Sequence, residues 1–178
     1  LKNRRIGLSQ SGVVQAFNKF GRRAMLNWCD NAYSHVKDLD EEYSNWLCIP
    51  KSVRMTSIKP SGTVSLLNGS TPGIHFPESE YYIRRIRFSR DCELVEALRN
   101  AGHTVEEDAY SPNTYCIEFP VHEPHFSQSK KTVSMWEQLE MAAQYQHYWA
   151  DNSVSITVTF KDEEADQLKS ALEMYETR

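Results

Sequence analysis

Residues 53–67 constrain the fold more than any other stretch of this chain. A partly apolar, β-branched run from Val53 to Ile58 ends in Lys59-Pro60-Ser61-Gly62-Thr63, and that loop opens into a short apolar segment, Val64 to Leu67. A strand that passes through a small-residue loop into a helical start is an arrangement that presents backbone N–H groups to an anion. Pro60 has no N–H and fixes its own φ. Gly62 permits a close or left-handed backbone, and Ser61, Thr63 and Ser65 add hydroxyls. The first N–H groups of a helix lack internal partners and sit at the positive end of its dipole, so phosphate binds there readily. An ordinary capped turn uses the same residue types, and residue types alone leave both readings open.

The rest of the chain alternates helical and extended patterns. Arg4 to Ser9 reads as a short extended segment. A helix starting at Ser11 or Gly12 places Val13, Val14, Phe17 and Phe20 near one face, and Gly21 interrupts it. The pattern resumes with Ala24, Met25, Trp28, Ala32, Val36 and Leu39, runs to about Leu47 and breaks at Ile49-Pro50. After the loop, Thr71-Pro72-Gly73 is a second turn. Tyr81 to Phe88 reads as a strand, Cys92 to Ala101 as a helix ended by Gly102, and Thr104 to Glu107 and Thr114 to Phe119 as two strands joined through Ser111-Pro112-Asn113. Together these form a strand–helix–strand–strand insertion over about residues 80–120, with Pro120 to Pro124 as a connector. Val133 to Trp149 is a strong helix, with Trp136, Leu139, Ala143 and Tyr148 expected inward. Val154 to Phe160 alternates as a half-buried strand. Lys161 to Arg178 reads as a final amphipathic helix with Ala165, Leu168, Leu172 and Tyr175 on one face. This alternation indicates an α/β architecture.

Composition narrows the function classes. The 178 residues are 40% hydrophobic and 25% charged, with a net charge of −4, so nothing draws the chain toward nucleic acid or an acidic membrane surface. No apolar run approaches the ~20 residues that span a bilayer, and no signal peptide opens the chain. The start at Leu1-Lys2-Asn3-Arg4-Arg5, without Met, suggests a piece of a longer protein. Cys29, Cys48, Cys92 and Cys116 form no Cys-x-x-Cys pair and have no metal-ligand spacing with histidine; they read as reduced, buried cysteines of a cytosolic protein. The Asn68-Gly69-Ser70 sequon carries no weight without a secretory context. His75, His122 and His125 fall in or near loops without metal-ligand spacing, so no metal site is assigned. Arg84, Arg85, Arg87 and Arg90 form a basic run that fits a solvated strand edge or, with the loop, an anion site. Trp28, Trp46, Trp136 and Trp149 fall in the two long helices and are expected in the core. No Walker loop, Gly-x-Gly-x-x-Gly or Ser/His/Asp set is present.

Several segments, taken in order, resemble the C-terminal part of the catalytic barrel of class II, adenosylcobalamin-dependent ribonucleotide reductases, in the monomeric ribonucleoside-triphosphate reductase branch. They are Asn3-Arg4-Arg5-Ile6-Gly7-Leu8, Leu26-Asn27-Trp28-Cys29-Asp30, Tyr43-Ser44-Asn45-Trp46-Leu47-Cys48 and Lys59 to Leu67. They continue with Thr71-Pro72-Gly73-Ile74-His75, Tyr82-Ile83-Arg84-Arg85, Trp136-Glu137-Gln138-Leu139, Tyr148-Trp149-Ala150-Asp151-Asn152 and Val154 to Phe160. The resemblance covers almost the whole chain, and Pro-Ser-Gly-Thr rather than Pro-Ser-Glu favours class II over class I.

The resemblance implies a ten-stranded α/β barrel of two five-stranded halves, of which residues 1–178 would be a part. It implies adenosylcobalamin as cofactor, a ribonucleoside triphosphate as substrate, a dithiol such as thioredoxin as reductant, a monomeric full-length enzyme and a cytoplasmic location. Ser61, Gly62, Thr63, Val64 and Ser65 match the family's phosphate loop, which holds the ribose against a thiyl radical by orientation. The family's radical and reducing cysteines lie upstream of Asn-Arg-Arg-Ile-Gly and its shuttle cysteines near the far C-terminus, so no cysteine here is assigned a catalytic role. A non-enzymatic nucleotide- or phosphate-binding module, with the loop and Arg84, Arg85 and Arg87 as its anion site, and an inactive reductase homologue are the alternative readings.

Overall fold

Backbone hydrogen bonding in the computed structural model, which describes residues 3–62 and 64–176, gives five strands and five helices among those residues. In chain order they are β1 (Arg5–Leu8), α1 (Val13–Phe20), α2 (Arg22–Trp46), β2 (Arg54–Thr56), β3 (Tyr81–Ser89), α3 (Leu94–Asn100), β4 (Val105–Glu107), β5 (Thr114–His122), α4 (Met135–Tyr148) and α5 (Leu168–Tyr175). Two 3₁₀ turns, Ser65–Asn68 and Asp162–Gln167, complete the set. The chain divides into two units: one runs up to Glu78 and resumes at Pro124, and the other is Ser79–Glu123. No helix among the described residues is long and apolar enough to cross a membrane.

The first unit is a small parallel sheet backed by helices. β1 pairs with β2 in parallel, Arg5 opposite Arg54 and Leu8 opposite Thr56. Beyond β2, Ile58 bridges Val154, again in parallel. Parallel neighbours need long crossovers, and α1 with α2 supplies the first. Gly21 (φ 84) ends α1 and begins α2, the break that the sequence shows. Val13 and Val14 of α1, Leu26 and Cys29 of α2, Ile58, Ile74, and Met141, Tyr145, Trp149 and Ala150 at and after α4 form one buried cluster.

Segment 149–152 is stitched to β2. The Trp149 indole donates to the Ser57 carbonyl at 3.1 Å. The Asp151 carboxylate accepts the Met55 and Thr56 amides at 3.0 and 2.8 Å, and Asn152 donates to the Thr56 carbonyl from both its amide and its side chain.

Several expectations change here. Val154 to Phe160 is extended but makes a single bridge rather than a ladder. Alternation fixes which side chains face inward, whereas a strand also needs neighbouring backbone. Side chains stand in for it: the amides of Val154, Thr157 and Thr159 donate to Gln146, His75 and Gln138.

The inward face of α4 is Met135, Gln138, Met141 and Tyr145, while Trp136, Leu139, Ala143 and Tyr148 are half-buried. Gln138 is 3% exposed because its amide closes a ring with the Thr159 backbone, donating to the carbonyl at 2.7 Å and accepting the N–H at 3.0 Å. Trp28 and Trp46 lie on the outside of α2, 51% and 70% exposed, each against another ring, Phe20 and Tyr43 respectively. Of the four tryptophans Trp149 is buried, and half-buried Trp136 donates to Gln167.

The final helix starts later than its periodicity suggests. Glu164 accepts the amides of Lys161 and Met135, which holds Asp162–Gln167 as a 3₁₀ turn. On α5 the buried residue is Ala171, while Ala165, Leu168 and Leu172 are exposed.

The second unit is an antiparallel sheet in the order β3-β5-β4, with α3 between β3 and β4 in sequence. β3 alternates exposed and half-buried residues throughout. β5 runs through Pro120, three residues past the expected end at Phe119. β4 pairs only with Tyr115 to Ile117, so Pro120 sits where β5 has one neighbour, a position that tolerates a missing N–H.

Candidate functional site

The loop after β2 is shaped by contacts made at a distance in sequence. The Lys59 amide donates to Ser9 Oγ at 3.0 Å. Ser61 has φ 42, the left-handed region, and its hydroxyl meets that of Ser11 at 2.7 Å. Ser65 donates its amide (3.1 Å) and its hydroxyl (2.6 Å) to the Ser61 carbonyl. The left-handed residue is therefore Ser61 rather than Gly62. At Gly62 a Cβ would meet nothing within 4 Å, so a side chain there would stand in open space. Val64, next to the 3₁₀ turn, is 70% exposed. Thr63 lies outside the described residues. Of the five residues matched to the phosphate loop, Gly62 and Val64 are exposed, Ser61 is half-buried, and Ser65, 3% exposed, braces the Ser61 carbonyl.

The second turn locks onto the base of the first. Gly73 has φ 54, and a Cβ there would stand 2.5 Å from the Lys59 carbonyl oxygen. The start of α1 holds the same turn: the Gly12 amide donates to the Thr71 carbonyl at 2.8 Å. Gln15 accepts the Thr71 amide at 3.2 Å and donates to the Gly69 carbonyl at 3.1 Å. His75 closes the turn. The Thr157 N–H donates to its Nε2 at 3.0 Å, so Nδ1 carries the proton and donates to the Pro72 carbonyl at 2.9 Å. Ser9, Ser11 and Gln15 were not singled out from sequence; the hydroxyls flanking the start of α1 were the available signal.

The other candidates engage neighbours of their own. Arg85 pairs with Glu106 at 2.6 Å and Glu118 at 3.6 Å, Arg87 with Asp108 at 2.9 Å, and Arg90 with Glu107. The Arg87 guanidinium holds the Asp108 carboxyl below its usual range. These arginines are paired with carboxylates of their own unit. Half-buried Arg84 lies on the other face with Ile86 and Phe88.

Cys29 is 1% exposed and sits against Gln10 and the Tyr145 hydroxyl; burial pushes its thiol up, and hydrogen bonds from Tyr145 and Gln10 offset this in part. A buried thiol of that kind is a poor nucleophile. All four cysteines are free, with Cys48 exposed. His122 stacks on Tyr81. Among the described residues no three His, Cys, Asp or Glu converge as a metal site.

No family model matches the chain. Individual proteins do. The chain is 48% identical over 177 residues to the probable adenosylcobalamin-dependent ribonucleoside-triphosphate reductase of Dictyostelium discoideum, covering 99% of this chain and 23% of that protein. It is 45% identical over 178 residues to the adenosylcobalamin-dependent ribonucleoside-triphosphate reductase of Euglena gracilis, covering 99% of this chain and 24% of that one. A crystal structure of a B-12 dependent (class II) ribonucleotide reductase superposes with a TM-score of 0.85 at 37% identity, over 98% of this chain and 28% of that one. The chain thus spans 23–24% of the length of these two curated relatives. Over that span it is homologous to adenosylcobalamin-dependent ribonucleoside-triphosphate reductases, the resemblance drawn from its ordered motifs.

Proposed function

We propose that this chain, homologous along nearly its whole length to part of the class II ribonucleotide reductases, is the segment of such an enzyme that carries the substrate-phosphate wall. The observation that carries the reading is the loop itself. It follows a buried parallel strand, holds Ser61 in a left-handed conformation and leaves open space where a side chain at Gly62 would stand. β1, β2 and the extended segment 154–160 are then neighbouring strands of the ten-stranded barrel, and residues 79–123 are inserted between two of them.

In the full-length enzyme the substrate is a ribonucleoside triphosphate and the product its 2′-deoxy form. Adenosylcobalamin, when bound, supplies the radical. A cysteine thiyl then takes the ribose 3′ hydrogen, and two further cysteines deliver the reducing equivalents, renewed by a dithiol such as thioredoxin. His75 beside the loop has both ring nitrogens engaged within the protein, so it is not free to ligate cobalt. The contribution of this chain is orientation. Donors at the loop hold the triphosphate, and a fixed triphosphate fixes the ribose against the radical, a gain that proximity alone can make large. The location is cytoplasmic and the full-length protein a monomer.

Gly62→Val in the full-length enzyme tests the loop. A valine has room in the protein, so folding should be unchanged, but its side chain would occupy the phosphate's approach. The expected result is a raised KM for the triphosphate; unchanged substrate affinity would count against the reading. This chain by itself should show no reductase turnover with adenosylcobalamin, a dithiol and a ribonucleotide.

A further inference from the structure

A left-handed conformation at a residue other than glycine costs about 1–3 kcal/mol and persists only where its surroundings over-determine it. Ser61 is such a residue, with φ 42. Ser65 holds its carbonyl from one side. The other hold comes from the segment before α1, where three consecutive side chains divide their work. Ser9 accepts the Lys59 amide, and Ser11 pairs with the Ser61 hydroxyl. Gln10, between them, runs into the core, where it contacts Cys29 Sγ and accepts the Tyr145 hydroxyl at 3.3 Å.

The structure assigns Ser11 to the phosphate site as a positioning residue that acts through Ser61, with Gln10 as its anchor; this rests on reading residues 59–65 as the substrate-phosphate loop. In a pair of hydroxyls one O–H is consumed by the other oxygen. When Ser11 donates to Ser61 Oγ, the Ser61 proton is left for a phosphate oxygen, and the chain of hydroxyls strengthens that bond. Ser11 also limits the Ser61 side chain to the rotamer that its strained backbone presents. Its role is separable from helix capping, because the N-cap of α1 is Gly12 and no side chain caps that helix.

The test is a double-mutant cycle in the full-length enzyme, reading KM and kcat for a ribonucleoside triphosphate. Ser11→Ala should raise KM roughly three- to ten-fold, the range of one hydrogen bond, with kcat within about two-fold. Ser61→Ala should raise KM at least as much. The double variant should match Ser61→Ala alone, because Ser11 has no other route to the substrate. Ser11→Thr, which keeps the hydroxyl, should restore most of the affinity. Additive effects in the double variant, an unchanged KM in Ser11→Ala, or a Ser11→Thr as weak as Ser11→Ala would each overturn the assignment. If Ser61→Ala weakens binding and Ser11→Ala does not, the Ser11 assignment alone falls. If Ser61→Ala and Gly62→Val both leave affinity unchanged, the loop reading falls and takes Ser11 with it.

Discussion

A side chain at Gly73 would place its Cβ 2.5 Å from the carbonyl oxygen of Lys59. The turn at 71–75 therefore presses directly on the base of the loop at 59–65, and the two are one structural object. Gly73 also has φ 54, so an alanine there meets both a strained backbone and a backbone atom that cannot swing aside. Gly73→Ala should destabilise the full-length protein by about 2–4 kcal/mol. Gly62→Ala, with no neighbour within 4 Å of the added Cβ, should stay within about 0.5–1 kcal/mol of wild type. Thermal unfolding of the two variants side by side measures the contrast; equal effects would mean that the turn does not bear on the loop.

His75 joins that turn to segment 154–160 through one donated and one accepted hydrogen bond. Two replacements separate the bonds. The amide of asparagine reaches the place of Nδ1 and that of glutamine the place of Nε2. His75→Asn should keep the bond to Pro72 and lose the one from Thr157, while His75→Gln should do the reverse. Each should cost about 0.5–1.5 kcal/mol of stability, the net worth of one bond, and His75→Ala about the sum. Amide exchange at Thr157 distinguishes them: it should accelerate in the asparagine and alanine variants and stay protected in the glutamine variant.

Much of this geometry was legible in sequence, and the rest was not for definite reasons. The spacing from Ala24 to Leu39 and the break at Gly21 gave α2, because amphipathic period and backbone permissiveness are local. The alternation of β3 was legible for the same cause. The left-handed residue was not: Gly62 has the freedom, but Ser61 takes the conformation because Ser11 and Ser65 hold it. Trp28 and Trp46 sit on a helix whose outer face is exposed here, and periodicity does not say which face of a long helix is covered. Gln138 reads as a polar surface residue until its ring with the Thr159 backbone is seen.

Asp151 is a residue that ordinary composition would leave on the surface. Its carboxylate takes the amides of Met55 and Thr56 and the Tyr33 hydroxyl at 3.5 Å, where burial and then the carboxylate raise the phenol. Removing it leaves two β2 amides without their acceptor. Asp151→Ala should cost about 2–4 kcal/mol, and Asp151→Asn, which keeps one acceptor oxygen, about half of that. Chemical denaturation of the full-length variants checks the order. A neutral Asp151→Ala would show that Trp149 and Asn152 suffice to hold this segment to β2.

Glu164 joins the start of α4 to the 3₁₀ turn before α5 and supplies a pH test. The Lys161 amide and then the Met135 amide hold its carboxyl below the usual glutamate range, because both bonds favour the charged form. A carboxyl depressed in the folded state contributes stability that is present above its unfolded pKa and is lost as pH falls through its folded value. Below both values the group is protonated in either state and the contribution is gone. Glu164→Gln should therefore be less stable than wild type at neutral pH, and the gap should close between about pH 5 and pH 3. The midpoint of thermal unfolding of both proteins, followed across that range, gives the comparison. A gap independent of pH would assign Glu164 a packing role and remove its charge from the account of how α4 is held to the chain that follows it.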